Sequence, residues 1–183
     1  MHFGTMLRTV AALALFSAGA AFGQLNSGQS TDLDLNANLS ESLTVTLDQS
    51  AISFALTPGS DANPGNTGVN VGVAWTLASG RSAVKLYAYF DSPNALINST
   101  NSACVIPSSA IWASVGGTAV GSFSNSTPFG GMPGVMISDT PIGTNLVGST
   151  SSAVTLNINL SAMPNLLAGS YTGTLHFQAQ ATT

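Results

Sequence analysis

The sequence predicts an all-β fold built from antiparallel strands, and two observations carry that prediction. Apolar and polar residues alternate strictly from Ser170 to Ala181, and a period of two is the period of a strand with one buried face. Similar alternation recurs at intervals of roughly ten to twenty residues, separated by Gly, Pro, Asn and Asp, which is typical of a sandwich or barrel. We therefore expect several strands to cover one another's apolar faces.

The amino-acid composition favours some classes of protein and argues against others. Charged residues make up only 5% of the 183 residues, against roughly 25% in a typical soluble domain, so Ser, Thr, Asn, Gln and Gly must form most of the surface. Such surfaces suit secreted and cell-surface β-proteins. The few Lys and Arg argue against nucleic-acid binding, which needs many cations to neutralise phosphates. Cys104 is the single cysteine, so we expect a half-buried small hydrophobe or a pairing with another chain.

Residues 1–23 have the pattern of a secretory signal peptide. His2 and Arg8 give a weakly basic start, and an apolar run begins at Val10. The tripeptide Ala21-Phe22-Gly23 then places small residues where a signal peptidase cleaves. Cleavage there predicts a secreted, extracellular or periplasmic protein, and no later apolar stretch suggests a stable membrane anchor.

The mature chain is expected to contain a flexible segment, residues 24–31, and one domain, residues 32–183. Alternating residues predict strands around Leu33–Leu39, Leu43–Leu47, Ile52–Leu56, Val69–Leu77, Val84–Phe90, Ile111–Val115, Val120–Phe123, Val154–Leu160 and Ser170–Ala181. Composition predicts a mobile loop over 124–133 and a short helical turn over 161–167. Val135 and Ile137 predict a weak edge pair with a partner near Leu146.

The closing stretch from Ala168 to Leu175 resembles the terminal strand of many bacterial secreted immunoglobulin-like domains. These include spore coat protein U and the archaic chaperone–usher pilin subunits, and the resemblance extends to the signal peptide, the early alternating strand and the overall length. It implies a single immunoglobulin-like β-sandwich. It also implies that Tyr171 packs its ring on the core while its hydroxyl bonds to backbone at the strand corner.

The resemblance assigns a second role, to Leu33, Leu35, Ala37 and Leu39. In a pilin-like subunit these alternating apolar residues would form a donor strand, which completes the groove of the same protein or a related subunit by β-strand addition. The alternative is that they form the first strand of their own sandwich. Both interpretations stay open at this point.

The search for catalytic chemistry finds little. His176 is the only histidine of the predicted mature chain, and Glu41 is its only glutamate, while the aspartates are dispersed. A general base needs a nearby nucleophile and an orienting partner, and one cysteine with one histidine cannot make a structural zinc site. The sequence therefore predicts neither an enzyme nor a cofactor or metal site.

Exposed aromatic residues suggest a different use. Trp112, Tyr87 and Tyr89 are candidate platforms for glycan stacking, whereas Trp75 is expected in the core. The first functional hypothesis is thus a secreted, non-catalytic structural or surface-assembly protein, pilin-like in type. The alternatives are a carbohydrate-binding or adhesive module and, third, a small outer-membrane β-barrel.

Overall fold

The computed structural model describes Ala37 and residues 39–183. The chain divides after Ala37, and residues 38–183 form one compact unit. The predicted signal peptide, the flexible segment 24–31, and Leu33 and Leu35 of the candidate donor strand lie outside the described residues.

Thirteen strands and one short 3-10 helix occur in the described part of the chain. They are β1 (Ser42–Leu47), β2 (Asn63–Pro64), β3 (Val69–Thr76), β4 (Ala83–Tyr89), β5 (Asn94–Asn98), β6 (Val105–Pro107), the 3-10 helix (Ser108–Ala110), β7 (Ile111–Val115), β8 (Thr118–Ser122), β9 (Asn125–Ser126), β10 (Pro133–Pro141), β11 (Val147–Ile158), β12 (Tyr171–Thr172) and β13 (His176–Thr182). In this part of the chain, no helix has the length and apolar character needed to cross a membrane.

These strands form two main sheets and one small one. The first sheet has the order β1-β3-β11-β7-β8, with β2 paired to β11, and the second has the order β13-β4-β10-β9. The small sheet has the order β12-β5-β6. All the strand pairs are antiparallel, so the predicted all-β antiparallel fold is confirmed.

One core lies between the two main sheets. Alternate residues of β3 and β11 from the first sheet join alternate residues of β4 and β10 from the second. Trp75 is buried as predicted, and its indole Nε1 donates to the Asn145 carbonyl at 3.1 Å. Because polar residues occupy the intervening positions, each strand turns its apolar face inward, as the period of two requires.

The final strand differs from the prediction of one continuous strand. Tyr171 and Thr172 pair with β5 in the small sheet, and pairing resumes at His176 against β4 in the second sheet. Between them, a Cβ at Gly173 would overlap the Ala95 carbonyl oxygen. The backbone therefore passes close to β5 at this point, and the chain crosses from one sheet to the other between Thr172 and His176.

Three other predictions need correction. Residues 52–56 form only an isolated bridge between Phe54 and Gly65, and Ser53 bonds to both the side chain and the backbone N–H of Asn66, which belongs to no strand. Val135 and Ile137 belong to β10, which pairs with β4 and not with a segment near Leu146, while β9 pairs only with Pro133 and Gly134 of β10. Residues 161–167 form turns and no helix.

Candidate functional site

The strands nearest the two chain ends lie at one flank of the sandwich. β1 is the edge of the first sheet and pairs only with β3, while β13 is the edge of the second sheet and pairs only with β4. The two edge strands contact each other, yet no ladder joins them among the described strands. An edge strand exposes a row of free backbone groups, which makes this flank a place where another strand can add.

A groove of about 710 Å³ opens along this flank beyond the end of β1. One wall is the segment Gln49–Leu56, and the other is the segment Gly169–Phe177. The floor includes Val69, Phe90, Ile111 and Leu156, which belong to the buried core. The groove therefore reaches down to the residues that elsewhere are covered by neighbouring strands.

The walls of the groove are irregular where a sandwich would have paired strands. Residues 49–53 on one side and Gly173, Thr174 and Leu175 on the other belong to no strand. None of the lining residues is charged. The groove thus combines apolar side chains with backbone that lacks ladder partners, and an extended apolar segment would meet both needs.

Two carboxylates hold the ends of β1. Glu41 accepts from Arg81 at 2.7 and 2.9 Å and from the Ala78 N–H at 2.9 Å, and these partners lower the pKa of Glu41 to about 2. Asp48 accepts from the Asn70 N–H at 2.8 Å and the Asn70 amide at 2.6 Å, which lowers the pKa of Asp48. Both groups are ionised at neutral pH, so the edge strand is fixed at the point where the preceding chain joins it.

Tyr171 stands in the wall of the groove as the resemblance implies. Its ring packs against the core, and its hydroxyl donates to the Leu167 carbonyl at 2.7 Å. This bond closes the corner that leads into β12. The ring and the hydroxyl of Tyr171 thus have the contacts that the resemblance implies.

We expect Tyr171→Phe to lower the free energy of unfolding by about 1 kcal/mol, because it removes one hydroxyl–carbonyl bond and leaves the ring in place. Urea denaturation of the protein measures this loss. Tyr87→Phe is the matched control, since the Tyr87 hydroxyl has no bond to any described residue. Equal effects of the two variants would contradict the role of the corner bond.

The candidate donor residues are only partly described. Ala37 and Leu39 belong to no strand of the structure, and Leu39 is 79% exposed. The first described strand of the domain begins at Ser42. Ala37 and Leu39 therefore do not form a strand of their own sandwich, while Leu33 and Leu35 lie outside the described residues.

Tyr87 and Tyr89 lie together on the outer face of the second sheet. The Phe129 ring lies 5.6 Å from that of Tyr87 and 5.9 Å from that of Tyr89, and the His176 ring stacks on Tyr89 at 5.3 Å. We call Tyr87, Tyr89, Phe129 and His176 the aromatic patch. His176 Nε2 also lies 2.9 Å from Asp91 Oδ2.

Sequence reasoning missed Phe129, because it falls in the predicted mobile loop. Gly130 and Gly131 have φ values of +77° and +71°, and the Thr127 N–H donates to the Met132 carbonyl at 2.9 Å. The left-handed glycines let the loop fold back over β4. The spacing of Tyr87 and Tyr89 was the only signal for this patch.

Trp112 does not join the other two candidate glycan residues. It lies on β7 of the first sheet and is 44% exposed, opposite Asn157 and Ser122. Trp112 is therefore a separate candidate platform from Tyr87 and Tyr89. The reason is topological, because strand order placed β7 and β4 in different sheets.

The described residues contain no group of three or more His, Cys, Asp or Glu side chains placed to hold a metal ion. Cys104 is half-buried and free. Comparison of the chain with known protein families and with curated proteins finds no match.

Proposed function

We propose that this protein is a secreted, non-catalytic structural subunit, pilin-like in type, that assembles by β-strand addition. The groove beside β1 and β13 accepts residues 32–39 of a neighbouring copy or a related subunit. The observation that carries this proposal is the apolar floor of the groove, which lies between two walls without ladder partners. Buried apolar surface and new backbone hydrogen bonds would both favour an added strand.

The donor segment and the groove match in length and in pattern. Gly169–Phe177 forms the longer wall, and its last eight residues would span about 26 Å if fully extended. Residues 32–39 also number eight, and every second one is apolar. Leu33, Leu35, Ala37 and Leu39 would point to the floor, and the Asp and Asn residues between them would face water.

The distance between residues 32–39 and the groove of the same chain favours a groove on another copy. Residues 32–39, which we call the arm, are connected to β1 through Glu41, whereas the groove begins beyond Leu47. To enter its own groove, the arm would first have to run back along six residues of β1, about 20 Å. Only about two of its eight residues would then lie beside Gln49–Leu56. The groove of a neighbouring copy could instead bind all eight residues of the arm.

Deletion of residues 24–40 tests the proposal. We expect the exported full-length protein to form polymers in size-exclusion chromatography and negative-stain images, and we expect the deletion variant to be a folded monomer. Deletion of residues 24–31 alone is the matched control, because it keeps the arm and should keep the polymers. A monomeric full-length protein, or polymers that persist without residues 24–40, would reject the proposal.

A further inference from the structure

We propose that the aromatic patch on the outer face of the second sheet binds a neutral oligosaccharide. This site is separate from the groove and adds an adhesive activity to the proposed structural role. The ligand class follows from the rings of the patch and from the polar groups at its margin.

The patch places four rings where the alternation of β4 and β13 requires a solvent-facing surface. Tyr87 and Tyr89 point outward between the buried residues of β4, and His176 lies opposite Tyr89 on β13. Phe129 comes from the loop before β10 and touches both tyrosines. Met136, opposite Tyr87 on β10, extends the apolar area and is 43% exposed.

Polar groups surround these rings. The Tyr89 hydroxyl donates to Gln178 Oε1 at 3.1 Å, and His176 holds the Asp91 carboxylate at 2.9 Å. The Asp91 side chain is 70% exposed, so its oxygens can still accept hydrogen bonds from a ligand. A pyranose presents C–H groups on one face and hydroxyls at its rim, and the patch offers partners for both.

The side chains of the patch hold one another in place. The stacked His176 ring, the Asp91 contact and the Gln178 bond restrict side chains that would otherwise have to be ordered on binding. Groups held in their binding geometry lower the entropic cost of association. This arrangement suits a small, solvated ligand that relies on a few well-placed contacts.

The rest of this face argues against other ligand classes. The nearest cation, Lys85, is paired with Asp139 at 3.2 Å, so the described face presents no unpaired positive charge to an anionic polymer. Gln180 lies opposite Lys85 and continues the polar surface. A stable protein partner would need to bury roughly 800 Å² per side around a desolvated centre, which this polar margin does not favour.

An array of neutral and acidic oligosaccharides, probed with the exported protein in multivalent form, tests the inference. Multivalent display makes weak single-site binding measurable. We expect binding to neutral glycans, with a loss of about tenfold or more in Phe129→Ala and Asp91→Asn, since the first removes a ring in contact with both tyrosines and the second removes a charged acceptor at the margin. Trp112→Ala is the matched control, because it removes an exposed aromatic from the other sheet and should bind as the unchanged protein does.

Circular dichroism and thermal melting of each variant separate a lost site from a lost fold. Absence of binding to every glycan would overturn the inference. An equal loss in Trp112→Ala, or binding that is confined to acidic glycans, would also overturn it. Saturable binding of a protein to this face, unaffected by competing sugar, would assign the patch to a different partner class and reject the proposal.

Discussion

A chain that carries its own donor strand behind β13 is expected to remain monomeric and to melt at a higher temperature. In this variant residues 24–40 are deleted, and residues 31–40 are appended after Thr183 through a Gly/Ser linker of about sixteen residues. β13 ends at Thr182, at the end of the strand away from the groove. The linker has an average length of roughly 22 Å, about the length of the seven residues of β13, so the appended segment can begin at the groove and place its leucines there.

The expected gain in stability comes from burial of the three leucines. Full burial of a leucine contributes about 1.5–3 kcal/mol, and the cost of ordering the strand offsets part of this. If half of the contribution from burial remains, the free energy of unfolding rises by about 3 kcal/mol. This corresponds to an increase of about 6–12 °C in Tm for a domain of this size. Thermal melting and size-exclusion chromatography, both compared with the chain that lacks residues 24–40, measure the effect.

The matched control keeps the appended strand but replaces Leu33, Leu35 and Leu39 with Asn. It preserves the length and the backbone donors, so any difference from the leucine version reports the apolar side chains. We expect no rise in Tm in the control. A rise of equal size would mean that the groove does not select an apolar strand.

Phe123→Ala is expected to remove about 3–5 kcal/mol of stability, the usual cost of emptying the space of a buried phenylalanine. Phe123 is fully buried, and its ring makes an edge-to-face contact with Phe90 at 5.1 Å. Phe90 belongs to the floor of the groove. Because the total free energy of unfolding of a domain is only about 5–15 kcal/mol, this one substitution should lower Tm by about 10 °C or more.

Chemical denaturation of Phe123→Ala and Phe129→Ala compares the loss in free energy of unfolding in the two variants. Phe129 is also a phenylalanine in contact with other rings, but it is half-exposed on the aromatic patch. Its replacement should cost much less, since water already reaches it. Similar losses in the two variants would show that Phe123 is not a central support of the core.

The local alternation of apolar and polar residues was sufficient to predict the positions of most of the strands. β3 and β4 follow the alternation of Val69–Leu77 and Val84–Phe90 closely, because inward and outward positions are set by neighbouring residues alone. Partners were harder to foresee. β10 pairs with β4 instead of with a segment near Leu146, and the residues of β4 lie about fifty positions away.

The candidate groove could be anticipated only in part. The alternation at 33–39 indicated a strand, to which the resemblance gave a donor role, but nothing in residues 49–56 indicated that they would form a wall without a strand partner. Ile52, Phe54 and Leu56 alternate like a strand, yet a strand also needs a neighbour whose backbone groups are free. Gly173 looked like one more inward position, and only the close approach of Ala95 explains why pairing stops there.

From the sequence alone followed the all-β class, the inward and outward faces of the strands and the burial of Trp75. These depend on side chains within a few residues of one another. Tertiary structure alone decided which strands lie at the edges, that a groove opens between them, and that Phe129 and His176 join Tyr87 and Tyr89 while Trp112 does not. Those outcomes depend on pairing between distant segments, and the alternation of one strand contains no information about its neighbour.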